Sequence, residues 1–296
     1  MKRIIITLIV TTASLSILSA QEDVNPVFYR YFLNVANPAF AGSTGHTNFG
    51  ANVRSQNANV KGAPELQIFV FDTPLFSNVG FGVSVSNGKT FIEKQTTVSF
   101  DFSYKLVLNR NGQNLYFGLK TGFSSYSANT EGLTTFGIVE DPLLQNINTG
   151  LNPNFGIGFQ FEDPSNFYVA FSIPRILSYE RLFERNKTAK LSPDRIPFYL
   201  SGGAMMDLGG GITFKPTLLL QYMTVSPFFA DISALFGFGE HLDFGASYRY
   251  KESISGLFVF RSTDSFRVGY AYGISLMGEL RKVSKGSHEV FLNFRL

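Results

Sequence analysis

Few residues of this chain are suited to catalytic chemistry, and their spacing does not assemble a known catalytic group. The three histidines are His46, His241 and His288, and the chain has no cysteine. Thiol nucleophiles, thiolate metal sites and disulfides are therefore excluded. A serine hydrolase needs a histidine within hydrogen-bond reach of a serine, and the sequence contains no nucleophile elbow, phosphate loop or HExxH motif. We expect no enzymatic activity, no metal site and no cofactor.

Charged residues recur on one face of segments whose opposite face is apolar. These residues are Asp101, Lys105, Lys120, Lys215, Asp231, Asp243, Arg249 and Arg267. A charge facing lipid near the bilayer midplane costs about 2–4 kcal/mol, so we expect all of them to face an internal lumen. They would either line a conducting or ligand-binding pore, or form ion pairs that stiffen the wall or hold a plug. Their balanced signs favour internal pairing.

The alternation of apolar and polar residues continues from about residue 46 to the end of the chain. In the last segment, Val290 and Leu292 fall on the face opposite Glu289. A period of two is typical of strands. About 14 such segments, each long enough to cross a bilayer when tilted, predict an all-β transmembrane antiparallel barrel. A water-soluble β-sandwich is the competing interpretation, but a single sandwich core would not need so many apolar faces.

The predicted connections differ in length according to their order in the chain. Short turns, such as Asp72–Asn78 after a strand at 64–71, alternate with connections that include every long loop. The long loops are Ser127–Asn152, Pro174–Ile196 and Ser275–Gly286. Outer-membrane barrels have short periplasmic turns and long extracellular loops. An even number of strands with both termini in the periplasm would place these loops outside the cell.

The composition is also that of a membrane barrel. Charged residues make up 16% of the chain, against about 25% in soluble domains. The formal net charge of +3 is too small to indicate a nucleic-acid partner.

The first 20 residues have the layout of a secretory signal peptide. Lys2 and Arg3 precede a mostly apolar run over 4–18, and Ala20 precedes a polar stretch, as in exported proteins. An N-terminal membrane anchor is the weaker interpretation, because spanning a bilayer needs about 20 apolar residues.

The segment at 21–45 differs from both its neighbours. It contains Pro26 and Pro38 and is rich in aromatic residues, so it is not strand-like. We expect it to form a plug inside the barrel or to pack on the periplasmic rim, with a disordered linker as the alternative. The predicted division is a signal peptide at 1–20, this segment at 21–45 and a barrel at 46–296.

Two sequence blocks carry a family resemblance. The first resembles the NPAYAG block of the PorP/SprF family and consists of Asn37, Pro38, Ala39, Phe40, Ala41 and Gly42. The second resembles the terminal GSHE block of that family and consists of Gly286, Ser287, His288 and Glu289. Glycine-rich stretches at 79–84, 115–122 and 152–158 also resemble strands of the family. The sequence therefore resembles the outer-membrane PorP/SprF proteins of the type IX secretion and gliding-motility machinery.

The resemblance implies a non-enzymatic barrel that helps to deliver or hold secreted proteins at the cell surface. The implied partners are outer-membrane lipid, a secreted adhesin or other type IX passenger, the translocon and periplasmic ring components. The loop at 174–196 could dock an acidic passenger or contact lipopolysaccharide phosphates, or its charges could simply be solvated. Its basic residues are Arg175, Arg181, Arg185, Lys187, Lys190 and Arg195. A diffusion channel or a transporter of hydrophobic substrates is the competing function, because fold alone does not determine function.

Overall fold

The computed structural model describes residues 25–109, 111–130, 146–177, 195–263 and 265–296. Within these residues, fourteen strands form an antiparallel barrel that closes when the first strand pairs with the last, and two short strands, Ile147–Asn148 and Met206–Gly209, extend the sheet. The strands are β1 (Asn48–Ser55), β2 (Glu65–Phe76), β3 (Val79–Thr90), β4 (Glu93–Val107), β5 (Asn114–Ala128), β6 (Asn152–Asp163), β7 (Phe167–Ile173), β8 (Phe198–Ala204), β9 (Ile212–Tyr222), β10 (Phe229–Phe238), β11 (Leu242–Arg249), β12 (Ser253–Arg261), β13 (Phe266–Ser275) and β14 (Ser287–Arg295). The predicted transmembrane β-barrel is confirmed.

Each strand separates lipid-facing from interior residues, as β4 shows. Phe102 and Tyr104 are 46% and 51% exposed, whereas Asp101 and Ser103 between them are buried. An outer surface of aromatic and aliphatic side chains is what the hydrocarbon layer requires. Within the described residues, no helix is long and apolar enough to cross a membrane.

The connections have the predicted asymmetry. Tight turns at 77–78 and 164–166 lie at one end of the barrel, and the long connections at 129–151 and 174–197 lie at the other. Short turns belong to the periplasmic end and long loops to the extracellular end. The extracellular connection before β14 contains a short helix, Gly278–Val283.

The sequence placed some strand boundaries wrongly. The strand predicted at 64–71 continues to Phe76, so the expected turn Asp72–Asn78 shrinks to 77–78. Pro74 is tolerated there because β2 extends beyond the start of β1, whose first residue pairs with Asp72. A proline at such an unpaired edge has no ladder hydrogen bond to lose. β8 is similarly continued by a short strand, Met206–Gly209, which pairs with β9.

Candidate functional site

Residues 25–45 lie inside the barrel and form the interior segment. It consists of two 3₁₀ turns, Tyr29–Tyr31 and Pro38–Phe40, on either side of a short helix, Leu33–Ala36. Asn37 ends the helix and caps the second turn, because its side-chain oxygen accepts a hydrogen bond from the Ala39 amide at 2.9 Å. A helix this short has little stability of its own, so contacts with the wall must hold the segment.

Glu289 on β14 holds the first residues of the interior segment. Its carboxylate accepts hydrogen bonds from the backbone amides of Val27 and Phe28 at 2.8 and 3.0 Å. The same carboxylate accepts from Asn52 at 2.9 Å and pairs with Arg54 at 3.2 Å, both on β1. One buried side chain therefore joins the segment to the strand pair that closes the barrel.

An aromatic cluster packs beside this carboxylate. The rings of Phe28 and Tyr31 both lie 4.5 Å from the ring of Phe291, and Phe32 meets it edge-on at 6.2 Å. Burial raises the pKa of the Tyr31 phenol. The pKa of Tyr29 is also raised, mainly by burial and further by the nearby Asp231 carboxylate. Both phenols therefore stay neutral, and Tyr29 donates to the Asp231 carbonyl at 3.3 Å.

The middle of the segment is bound from several sides of the wall. Lys120 on β5 donates to the Asn34 carbonyl at 3.0 Å, and Ser172 on β7 donates to the Ala36 carbonyl at 2.7 Å. Two strands beyond β7, Arg30 donates to the Lys215 carbonyl of β9 at 2.8 Å. The bonds from Lys120 and Ser172 satisfy carbonyls that a short helix leaves unpaired.

The 37–42 block rests on glycines of β3, β5 and β6. A Cβ atom on Gly80, Gly118 or Gly158 would overlap Ala41, Ala39 or Asn37 respectively. The backbone of the block can approach the wall only because these positions lack side chains.

Hydrogen bonds fix this block in place. Asn37 donates to the carbonyls of Phe159 and Phe171 at 3.1 and 3.2 Å. The Ala41 carbonyl accepts from Ser103 at 2.6 Å, and the Gly42 amide donates to Asp72 at 3.2 Å.

Charges at the extracellular end form one buried network. Arg249 pairs with Asp231 at 3.0 Å and with Glu252 at 3.2 Å. Arg54 links Glu252, at 3.9 Å, to Glu289, at 3.2 Å. The network connects β10, β11 and the turn that follows it to β1 and β14, so it joins the closing strands to the wall next to them.

The remaining predicted lumen charges divide into paired and unpaired groups. Lys120 pairs with Asp101 at 2.7 Å, and Lys215 pairs with Asp243 at 2.8 Å. Lys105 and Arg267 share the inward register of their strands but make no ion pair with a described residue. The predicted site residues are therefore not one cluster.

The 286–289 block forms the extracellular start of β14. Gly286 has a φ of +91°, a conformation that favours glycine. Its carbonyl accepts from the Ala58 amide at 2.7 Å, and Ser287 accepts from the Asn57 amide at 3.0 Å. These bonds attach the first extracellular loop to β14 directly above Glu289.

The histidines have ordinary structural roles. His241 Nδ1 lies 3.0 Å from the Arg261 carbonyl oxygen, and His288 Nδ1 lies 2.8 Å from the Tyr270 hydroxyl. In the part of the chain that the structure describes, no hydrogen bond joins a histidine to a serine, and no three His, Asp or Glu side chains are grouped to hold a metal ion.

Comparison with known proteins identifies the family. A family model described as type IX secretion system membrane protein PorP/SprF matches residues 18–294. The chain belongs to this family. A search of curated proteins finds no significant match. The PorP/SprF assignment and the barrel fold support an outer-membrane location and are those of a non-enzymatic secretion protein.

Solved outer-membrane barrels share the fold at low sequence identity. The toluene transporter TbuX of Ralstonia pickettii is 9% identical, with a TM-score of 0.53 over 88% of this chain and 92% of TbuX. Omp33 of Acinetobacter baumannii is 10% identical, with a TM-score of 0.49 over 85% of this chain and 99% of Omp33. At such identities the likeness shows the fold alone.

In this PorP/SprF chain, the family-like blocks meet at the interior segment. The 37–42 block is part of the segment and packs against the glycine-rich strands. Glu289 of the 286–289 block binds the N-terminal end of the segment. Asp72, Ser103 and Phe291 could not be recognised as partners from the sequence, because a polar or aromatic residue on an inward face shows only its orientation and not its contacts.

An open cavity lies beyond the segment at the extracellular end. It has a volume of about 210 Å³, and its lining includes Asn25, Ser84, Gln95, Arg175 and Tyr199. Arg175 is thus the described loop cation that borders the interior, and Arg195 lies three residues before the start of β8. Arg181, Arg185, Lys187 and Lys190 lie outside the described residues, as does the predicted signal peptide at 1–20.

Proposed function

We propose that this protein is a non-enzymatic outer-membrane barrel of the type IX secretion system that assists the delivery or surface attachment of a secreted protein, such as a gliding adhesin. One observation carries the proposal. The interior is occupied by a segment that is bound to strands around the barrel, and the family-like blocks supply its main contacts. An accessory that holds or presents a protein does not need an open pore, whereas a diffusion channel does.

The ionisable groups support a role without catalysis. The buried carboxylates are engaged in ion pairs or in hydrogen bonds to backbone amides, as Glu289 and Asp231 illustrate. General acid–base catalysis needs a group within hydrogen-bond reach of a substrate. These carboxylates instead hold the segment and the wall together.

The extracellular end supplies the surface for a passenger. The open cavity and the described ends of the loops at 127–152 and 174–196 lie on this side. The second loop carries six basic residues against three acidic ones. Complementary charge speeds encounter and favours the correct partner more than it raises affinity. An acidic passenger surface would therefore be the natural ligand, with translocon and ring components contacting the periplasmic side.

The test is a crosslinked affinity purification of the native outer-membrane protein, followed by mass spectrometry. We expect one large secreted protein together with translocon or periplasmic ring components. A variant in which Arg181, Arg185, Lys187 and Lys190 are replaced by serine should lose the passenger and keep the periplasmic components. The matched control replaces Arg281 and Lys282 in the 276–286 loop and should retain both.

Two results would contradict the proposal. Recovery of the barrel without any secretion component, combined with steady ion conductance in planar bilayers, would instead support a diffusion channel or a transporter of hydrophobic substrates. Saturable uptake of an apolar compound that depends on the barrel would favour the transporter.

A further inference from the structure

A second pocket opens at the periplasmic end of the barrel, between the interior segment and the wall. It has a volume of about 140 Å³, and its lining includes Arg30, Asn34, Arg267, Asn293 and Arg295. Arg267 is the second residue of β13 and Arg295 is the last residue of β14, so both lie at the end that carries the short turns. We call this cavity the periplasmic pocket.

Donors without acceptors line the periplasmic pocket. The Asn34 side chain is only 4% exposed, and its Nδ2 atom has no hydrogen-bond partner. The Arg267 side chain makes no hydrogen bond or ion pair with a described residue. Arg30 uses one N–H group on the Lys215 carbonyl. A buried donor without an acceptor is unfavourable, and a ligand that supplies acceptor oxygens would remove this cost.

The acidic groups near the pocket are already engaged. Asp72 accepts from the Gly42 amide and from the Asn48 side chain, both at 3.2 Å. Asp243 pairs with Lys215 at 2.8 Å and with Arg261 at 3.1 Å. Asp243 is therefore neutralised, whereas Asp72 lines the pocket and is bonded only to neutral donors. The guanidinium groups of Arg30, Arg267 and Arg295 outnumber this one carboxylate, so the pocket attracts anions.

We infer that the periplasmic pocket binds a carboxylate of a peptide segment that reaches the barrel from the periplasm. The inference rests on the proposed function, because a secretion-system accessory meets protein partners on that side. Guanidinium groups match a carboxylate with paired hydrogen bonds. Tyr31, Leu33 and Phe40 also line the pocket, and these apolar surfaces would receive the side chain next to the carboxylate. A bare inorganic anion would leave them unused.

The test uses the purified full-length barrel in detergent micelles and a short fluorescent peptide that ends in phenylalanine with a free carboxylate. We expect saturable binding that weakens about tenfold when the carboxylate is replaced by an amide. Arg267→Gln should weaken binding by a similar factor. Lys105→Gln is the matched control, because Lys105 is also an inward, unpaired cation near the periplasmic end but does not line the pocket. It should bind like the wild type.

Several outcomes would overturn the inference. Equal binding by Arg267→Gln and the wild type, or equal weakening by Lys105→Gln, would show that the peptide does not occupy this pocket. Inorganic phosphate that displaces the peptide at equal or lower concentration would make this an inorganic-anion site. Heat-dependent gel mobility checks that each variant is folded. Because binding is measured on the isolated barrel, its result is separate from the recovery of secretion partners that tests the proposed function.

Discussion

Glu289 is the residue on which both the interior segment and the closure of the barrel depend. It accepts from two backbone amides of the segment and pairs with Arg54 on β1. Removing one partner of a buried, hydrogen-bonded ion pair is more costly than the pair itself is stabilising, since the remaining charge stays buried. The family-like 286–289 block therefore contains a residue whose charge, and not merely its size, is required.

Glu289→Gln should lower the free energy of unfolding by about 3 kcal/mol, because Arg54 loses its nearest carboxylate. The measurement is the temperature at which the folded barrel loses its characteristic mobility on a gel. Glu240→Gln, in an exposed turn, should leave that temperature unchanged. Equal heat resistance of the two variants would show that Glu289 contributes only shape.

Gly118→Ala tests the close contact between the 37–42 block and the glycines of β3, β5 and β6. The added methyl group would overlap Ala39 and Pro38, and such overpacking costs about 1–3 kcal/mol. Gly88→Ala is the matched control, because Gly88 also faces the interior but has open space around the added atom. We expect faster protease cleavage within residues 25–45 for Gly118→Ala only. Identical cleavage of the two variants would mean that the block is not held against β5.

At the scale of the strands and the segment, the sequence predicted architecture better than contacts. The alternation on β4 and β14 correctly predicted which residues face lipid, because a charged side chain such as Asp101 is unfavourable on the lipid-facing side. The extent of β2 was underestimated, since Pro74 looked like a turn residue and the stagger between β1 and β2 depends on pairing across the barrel. The contacts of Glu289 with the segment could not be predicted, because they join residues at opposite ends of the chain.

The interior segment runs from the extracellular end of the barrel to the periplasmic end. Asn25 donates to Gln221 near the end of β9 and its carbonyl accepts from Arg249 at the end of β11. Thr44 is exposed shortly before β1 begins. The chain therefore passes through the interior before it enters the first strand.

Single introduced cysteines can test the direction in which the interior segment crosses the barrel, because the chain has no cysteine of its own. In intact cells, Asn25→Cys should react with a membrane-impermeant maleimide added outside, since Asn25 lines the extracellular cavity. Thr44→Cys should react only after the outer membrane is permeabilised. The reverse pattern would mean that the segment runs the other way or that the barrel is inverted in the membrane.

For the whole molecule, the distribution of charge separates its two ends. At the extracellular end, Arg54 and Arg249 are enclosed by Glu252, Glu289 and Asp231. At the periplasmic end, Arg267 lies beside the segment and makes no ion pair with a described residue. Most inward charged side chains form ion pairs or hydrogen bonds to the backbone. The lining of a selective pore must remain available to ions, so the barrel resembles a filled scaffold more than such a pore.

Conductance distinguishes these possibilities for the intact barrel. The wild-type protein should conduct poorly in planar bilayers, and deletion of residues 25–45 should produce a large, steady conductance, because the deleted residues occupy the lumen. Deletion of 278–283, in an extracellular loop, is the control and should leave conductance low.

If the first deletion prevents folding, replacing Phe28 and Phe32 by serine removes the rings that pack on Phe291 and should produce brief openings. A folded wild-type barrel that conducts as well as the deletion variant would show that the interior segment does not close the lumen, and the diffusion-channel interpretation would then replace the accessory role.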